Sequence, residues 1–387
     1  MRGLFHLAWC HLTFHWRASL LLTLCLTTTI FLPLATRHLS DDFERSLVAR
    51  SQATPLVCGV RGNRFDLTLA ALYFRFSELD PMTFGELETL REASLDVVVP
   101  LNLRHRARGL PVVATSPEYF ERRGLVPAEG TLPLWIGECV LGASAFGDVA
   151  PGETLFSDAR DGYDIAGAAP LELRVTGRLA STGGPDDRAV FTTVETGWML
   201  EGALHGHGDA AEIEPSKLLG ANDEHVVVGP AVIEERTVTE GNRGEFHLHA
   251  DRAELPLSAA LVFPATDKSR TMLRARVNAS SRLRAVDPAD VVDELLRLVF
   301  RIRSLLDGLA MLLAATTALM GALVILLGLR LRAGELRTLE RMGASRGVAL
   351  QLVAMETSLV LVVSSALAWL AKVLLPWGAE DVLRWMP

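Results

Sequence analysis

The sequence predicts a membrane protein: three transmembrane α-helices, with a large α+β extracytoplasmic domain inserted between the first and second. Three observations predict it. Two long apolar runs flank a short Arg-rich segment near the C-terminal end, a further apolar run stands close to the N-terminus, and the stretch between is polar and rich in short β-type runs. Composition agrees. With 49% hydrophobic and 22% charged residues and a mean hydropathy of +0.26, the chain is too apolar for an ordinary soluble enzyme and too charged for a fully embedded bundle. Its formal net charge of −8 argues against nucleic acid as a partner.

Taken in order, residues 1–17 form a cytoplasmic amphipathic lead-in, whose Arg2, Arg17, aromatics and His6, His11 and His15 suit the lipid interface. Residues 18–36 are uncharged, bounded by Arg17 and Arg37, and are expected to be the first span, with Pro33 tolerated near its outer end. A cleavable signal peptide is disfavoured, because the run is longer than the usual ~7–15 residues and ends without an A-x-A-like site. An N-terminus inside places residues 37–304 outside.

Within that outer domain, strands are expected at 95–99, 110–114, 171–179, 189–194, 225–228, 246–249 and 259–263. SPEYFERRG, beginning at Ser116, carries an N-cap Ser and a Pro at the first helical position. TGGPDDR has the composition of a turn. Strands mixed irregularly with helices imply α+β. Residues 201–255 hold more His, Gly and acidic residues than their flanks and read as an inserted lobe. Over 288–304, Val291, Val292, Leu295, Leu298, Val299 and Ile302 follow helical spacing beside Arg297, Arg301 and Arg303, as in a stalk helix leading into the second span. In an oxidising outer space, Cys58 and Cys139 are either a disulfide or two buried free thiols.

The second span is expected over 305–330 and the third over 348–375, joined by a cytoplasmic segment, 331–347. Residues 308–329 carry no charge, and at ~1.5 Å per residue they suffice to cross a ~30 Å hydrocarbon core. Arg330, Arg332, Arg337, Arg341 and Arg346 outnumber Glu335 and Glu340, and an Arg excess in a short loop marks the cytoplasmic side. Glu356 and Lys372 suit the interfaces of the third span and Trp377 an interfacial anchor. Leu336, Leu339 and Met342 recur every third residue and make an apolar stripe on a short helix that Gly343 ends, with Ser345 capping the next.

The segment GELRTLERMGASRGVALQLVAMETSLVLVV resembles the signature stretch of FtsX/MacB/LolC-type ABC transporter permeases, in which a charged stretch with a Gly-Ala-Ser turn joins two transmembrane helices. SPEYFERRGLVPAEG, ECVLGASAFGDVAPGETL, LELRVTGRLASTGGPDDRAVFTTVET and LVFPATDKSRTMLRARV resemble, in the same order, the MacB-like periplasmic core domain of those permeases. The resemblance implies the permease subunit of an ABC transporter in a bacterial inner membrane. Such a subunit dimerises and couples ATP hydrolysis by a separate ATPase to conformational change of its outer domain, for export or mechanotransmission. It further implies that Glu335, Leu336, Leu339, Met342, Gly343, Ala344 and Ser345 meet the ATP-binding subunit, and that ATP and Mg²⁺ belong to that partner. One departure is plain: the family's usual fourth span has no counterpart in 376–387, which is too short and too charged and is expected to be an external tail.

The chain has no G-x-x-x-x-G-K-[ST], no G-x-S-x-G and no H-E-x-x-H, so neither a nucleotide cradle, a catalytic residue nor an enzyme activity of its own is expected. One constellation has ligand chemistry. His205 and His207 (HGHGD) with His247 and His249 (HLH) form two H-x-H pairs that offer imidazoles to Zn²⁺ or Cu²⁺, or else lie on a solvated loop and an exposed strand face. The rival reading is a membrane-anchored extracytoplasmic ligand-binding or sensor protein, metal-linked if those histidines bind. Three spans predict an external C-terminus: an alkaline phosphatase fused after Pro387 should be active, and an active cytoplasmic reporter at that position would overturn the topology.

Overall fold

Short, largely apolar strands, whose successive side chains point to opposite faces, build a sheet that buries both of them. The computed structural model describes residues 2–75, 79–92, 96–158, 170–206, 218–222, 225–228, 238–239, 241–248, 250–331, 334, 338, 341 and 347–374. The chain divides into two units, Val48–Asp293, and Met1–Leu47 with Glu294–Pro387.

The Val48–Asp293 unit carries β1 (Leu56–Val60), β2 (Met82–Thr83), β3 (Val97–Ala107), β4 (Leu110–Thr115), β5 (Pro127–Gly130), β6 (Glu138–Leu141), β7 (Thr154–Phe156), β8 (Glu172–Leu179) and β9 (Val190–Thr193). It continues with β10 (Leu204–Gly206), β11 (Leu218–Asn222), β12 (His225–Val228), β13 (Phe246–Leu248), β14 (Pro256–Leu257), β15 (Ala259–Phe263) and β16 (Leu283–Val286). The main sheet runs β16-β1-β15-β3-β4-β9-β6-β8-β5, with β7 also paired to β8. Its pairs are antiparallel except β4 with β9 and β6 with β8. The expected strands at 225–228 and 259–263 are β12 and β15, and those at 110–114 and 171–179 lie within a residue of β4 and β8.

Leu56 and Cys58 of β1, Ala260 and Val262 of β15, and Cys139 and Leu141 of β6 enter one apolar core; Val57, Ala259, Leu261 and Val140 enter the other. This follows from the alternation of side chains along a strand. The first core is covered by α4 (Phe84–Glu92), α6 (Val194–Leu200) and α7 (Asp267–Ala279), through residues such as Leu87, Trp198 and Leu273. The second is covered by α3 (Arg64–Tyr73) and α5 (Pro117–Arg123), through Leu67, Leu72, Tyr119 and Phe120, and by Val291 at the start of α8 (Pro288–Leu331). Pro117 opens α5 as its sequence predicts, although the Ser116 side chain makes no capping bond. Edge strand β16 is partly covered by Asn278, whose amide donates to the Ala285 carbonyl at 3.0 Å and accepts from the Ala285 N–H at 3.0 Å.

The two buried cysteines are free. Four strands stand between β1 and β6 in the sheet, so Cys58 and Cys139 are about 24 Å apart at ~4.8 Å per strand, against ~5.5–6 Å between the Cα atoms of a disulfide. Of the two readings left open by the sequence, buried thiols is the one the fold allows. Burial pushes the Cys58 thiol up to about 12, so it stays protonated and unreactive.

In the other unit, α1 (Arg2–Phe14) precedes α2 (Trp16–Gln52), and α9 (Gly347–Leu374) follows α8. Helix α2 continues past the expected end of the first span at residue 36, because no Gly or Pro interrupts 34–54; Pro55 disfavours helix beyond it. The stalk expected over 288–304 and the span expected over 305–330 are one helix, α8. Among the described residues, two helices are long and apolar enough to cross a membrane, Pro288–Leu323 and Gln351–Leu374. They become three if Phe5–Phe14 and Ser19–Ala35, bent by 99°, are taken as one span. A large α/β domain thus precedes the two spanning-type helices.

Helices α2, α8 and α9 are joined by small polar residues. Ser364 donates to the Thr23 carbonyl at 3.2 Å and its own carbonyl accepts from Thr27 at 3.5 Å, while Thr29 and Thr317 share a 3.2 Å hydroxyl bond. Val360, Ser364 and Ala368, four residues apart, are the buried positions on that face of α9. Small residues permit close backbone approach where lipid supplies no hydrophobic drive. Ser364→Leu is therefore expected to force α2 from α9 and lower the melting temperature of the detergent-purified chain by several degrees. Ser364→Ala, which loses only hydrogen bonds worth ~0.6 kcal/mol in a bilayer, should leave it nearly unchanged.

Candidate functional site

The residues expected to meet an ATPase, Glu335, Leu336, Leu339, Met342, Gly343, Ala344 and Ser345, lie outside the described residues. So do His207 and His249. His205 and His247 stand directly opposite each other in the antiparallel β10–β13 pair, and His247 is exposed. Among the described residues, no group of three or more His, Cys, Asp or Glu is placed to hold a metal ion.

The structure builds a polar site elsewhere, around Arg50 in the last turn of α2. Its side chain is 9% exposed and that of its partner Asp186 4%. The guanidinium forks onto the carboxylate, one nitrogen on Oδ2 and the other 3.0 Å from Oδ1, in the bidentate geometry that favours Arg over Lys. Further donors reach the Leu72 carbonyl and, at 3.0 Å, the Tyr119 hydroxyl. Tyr119 in turn donates to Asp186 Oδ1 at 2.7 Å, and the guanidinium carbon lies 5.3 Å from the Phe74 ring centre. Phe74, Tyr119 and Phe120 all pack on Phe191 of β9, with ring centres 5.6–5.9 Å apart. Burial by itself would raise the Asp186 carboxyl; the charge of Arg50 and the hydrogen bonds of Arg50 and Tyr119 outweigh it and hold the group below its ordinary range. Burial first, then the charge of Asp186, raises the Tyr119 phenol, which therefore stays a donor.

The TGGPDDR turn is shaped to present that carboxylate. It folds as a 3-10 turn, Pro185–Arg188, and Asp187 closes it by accepting from the Thr182 and Gly183 N–H groups and from the Ser181 and Thr182 hydroxyls, at 2.6–2.9 Å. One aspartate thus fixes the loop and the other faces Arg50. The chain after β6 lies against the turn: Gly142 N–H donates to Ala189 O at 2.8 Å and Ser144 N–H to Asp187 O at 2.7 Å. A Cβ at Gly142 would stand 2.2 Å from the Asp186 carbonyl oxygen, so only glycine fits this approach.

The start of α8 is fastened in a related way. Asp287 accepts from the Ala289 N–H at 3.1 Å, satisfying one orphan donor of the first turn, and pairs with Arg270 of α7. Arg274 reaches Asp290 at 3.4 Å. Val291 and Val292 are 2% and 1% exposed. The arrangement has no nucleophile beside a base. It fastens two helix ends to one domain. Sequence reading recognised TGGPDDR as a turn but not Asp186 as a partner; the signal was a Gly-Gly-Pro turn carrying two consecutive acids, one more than its own closure needs.

No protein-family model matches the chain, and no curated protein matches it. Among solved structures it is similar to the extracellular domain of the noncanonic ABC-type transporter YknZ from Gram-positive bacteria, with 10% sequence identity and a TM-score of 0.32 over 60% of this chain and 98% of that one. A likeness at that level carries no functional argument.

Removing one partner of a buried ion pair strands the other charge at a cost of ~3–5 kcal/mol. Arg50→Met is expected to lower the chain's stability by about that amount in denaturant titration, and Arg50→Met with Asp186→Leu to recover most of the loss. Because the folded carboxyl titrates below its ordinary value of 3.8, its contribution is complete at neutral pH and is lost as pH falls through the depressed folded value. Asp186→Asn should flatten that acid limb, and an unchanged limb would deny Asp186 the role.

Proposed function

We propose that the chain is the permease subunit of an ABC transporter, working as a dimer in the inner membrane of a bacterium and driven by a separate cytoplasmic ATP-binding subunit. The observation that carries this reading is the segment 334–363, whose charged stretch, Gly-Ala-Ser turn and following apolar helix resemble the coupling hairpin of FtsX/MacB/LolC-type permeases. The clamped helix ends support it. In this reading nucleotide-driven motion reaches the outer domain through α2 and α8, and clamped ends pass displacement on where loose ends would absorb it. The chain itself catalyses nothing; ATP and Mg²⁺ are used by the partner.

The stripe of Leu336, Leu339 and Met342 is the proposed contact. Burying one Leu is worth ~1.5–3 kcal/mol, so a charge at its centre should weaken docking tenfold or more. Leu339→Asp is expected to leave expression and membrane insertion intact while the ATPase no longer co-purifies in mild detergent. Full retention of the ATPase by this variant would overturn the coupling assignment. A membrane-anchored sensor would have no ATPase to lose, so its absence from the wild-type preparation would overturn the permease reading altogether.

A further inference from the structure

At the β16 edge of the main sheet, an open cavity of about 440 Å³ gathers four guanidinium groups, those of Arg61, Arg64, Arg274 and Arg284, against two carboxylates, Asp287 and Asp290. That excess of positive charge stands in a chain whose net charge is −8. What holds each group decides how much charge the cavity keeps. Arg61 donates to the Asn278 and Ser280 carbonyls at 2.9 and 2.8 Å, and Arg284 to the Gly62 carbonyl at 2.8 Å. A carbonyl is neutral, so it aims a guanidinium without cancelling its charge. The guanidinium carbon of Arg64 lies 5.3 Å from the Phe65 ring centre. Of the carboxylates, Asp287 is paired with Arg270, which is not part of the lining. Asp290, itself 62% exposed, faces Arg274 of the cavity at 3.4 Å.

We infer that this cavity binds a phosphate group, either a lipid headgroup or a soluble phosphorylated compound. Clustered guanidinium groups repel one another, and an oxyanion with several acceptor oxygens turns that repulsion into charge-assisted hydrogen bonds. The volume falls in the range of a small-ligand site and suits a phosphate with one modest substituent. The positions are fixed by backbone: Arg284 lies on β16 opposite Gly59 of β1, Arg61 follows that strand, and Arg274 projects from α7. The site does not depend on the permease proposal, although Arg274, Asp287 and Asp290 also fasten the start of α8.

The test is calorimetric titration of the full chain in neutral detergent, with inorganic phosphate as one probe and dihexanoyl phosphatidic acid, below its micelle concentration, as the other, each against chloride at matched ionic strength. At least one probe should bind saturably, and Arg61→Gln with Arg284→Gln should weaken it tenfold or more. Since those two side chains also tie down backbone, Arg274→Gln is the second variant; it should weaken binding severalfold with no change in melting temperature. Arg276→Gln, exposed on α7 and outside the cavity, should bind as wild type. Preference for the lipid probe identifies a headgroup site, and equal or better binding of inorganic phosphate identifies a soluble ligand. Absence of saturable binding by both probes overturns the inference, as does equal binding in wild type and all variants or equal competition by chloride.

Discussion

The Arg50–Asp186 pair is the constraint that fixes the last turn of α2 within the sheet domain. An ion pair taken out of water gains little net stability, because desolvation of two charges consumes most of the Coulomb attraction. Its effect is on geometry. A guanidinium that must place donors on Asp186, Tyr119 and the Leu72 carbonyl together accepts one rotation and one axial position of its helix. An apolar anchor of the same size would tolerate slippage by a turn, since one buried Leu replaces another at similar energy. Asp186 is available only because Asp187 closes the turn by itself and because Gly142 lets a second chain segment lie against it. Three sequence features far apart in the chain, an Arg in a helix, a pair of acids and a glycine, therefore serve one contact.

Half of the main sheet was legible, and the strands that were not share a cause. The runs that became β4, β9 and β12 are rich in β-branched residues, β8 alternates buried apolar with polar positions and β15 is an apolar run, so local pattern and final structure agree. Five strands of the main sheet escaped: β1, β5, β6, β7 and β16. LVCGV (β1), ECVL (β6) and LRAV (β16) have five residues or fewer; β1 and β6, buried on both faces, show no polar alternation, while β16 is half-buried with arginine at its second position. They take their place from partners, β1 between β15 and β16 and β6 between β8 and β9, and such pairing is absent from a local window. The same limit explains why α2 outran its expected end. Hydropathy marks where a helix stops being apolar, whereas only Gly, Pro or a cap marks where it stops being a helix.

The functional site was legible in the opposite proportion. The Arg-rich hairpin stands out because membrane topology and charge asymmetry are written in composition, yet the residues named there are not among those the structure describes. The two H-x-H pairs were visible as letters. The fold brings one histidine of each pair into register across β10 and β13, two strands of three residues each, and no spacing rule foretells which strands will pair. Arg50, Tyr119 and Asp186 were unreadable for the plain reason that a buried ion pair is a relation between segments: each residue alone suits a helix surface, a helix start or a turn.

The two fastened helix ends differ in kind, and the difference has a physical consequence. Arg50 and Asp186 are nearly sealed from water, so their geometry is insensitive to salt and resists sliding. Arg270 and Asp287 are 35% and 10% exposed, and Arg274 and Asp290 are 46% and 62% exposed, where screening reduces a pair to ~1 kcal/mol or less. The hold on α8 therefore rests mainly on Val291 and Val292, and apolar packing permits rotation that an arginine fork does not. Val291 belongs to the same apolar layer as Leu72, Tyr119 and Phe191, the layer that receives Arg50. Both helix ends thus meet one face of the sheet, while α4 and α6 cover the opposite face.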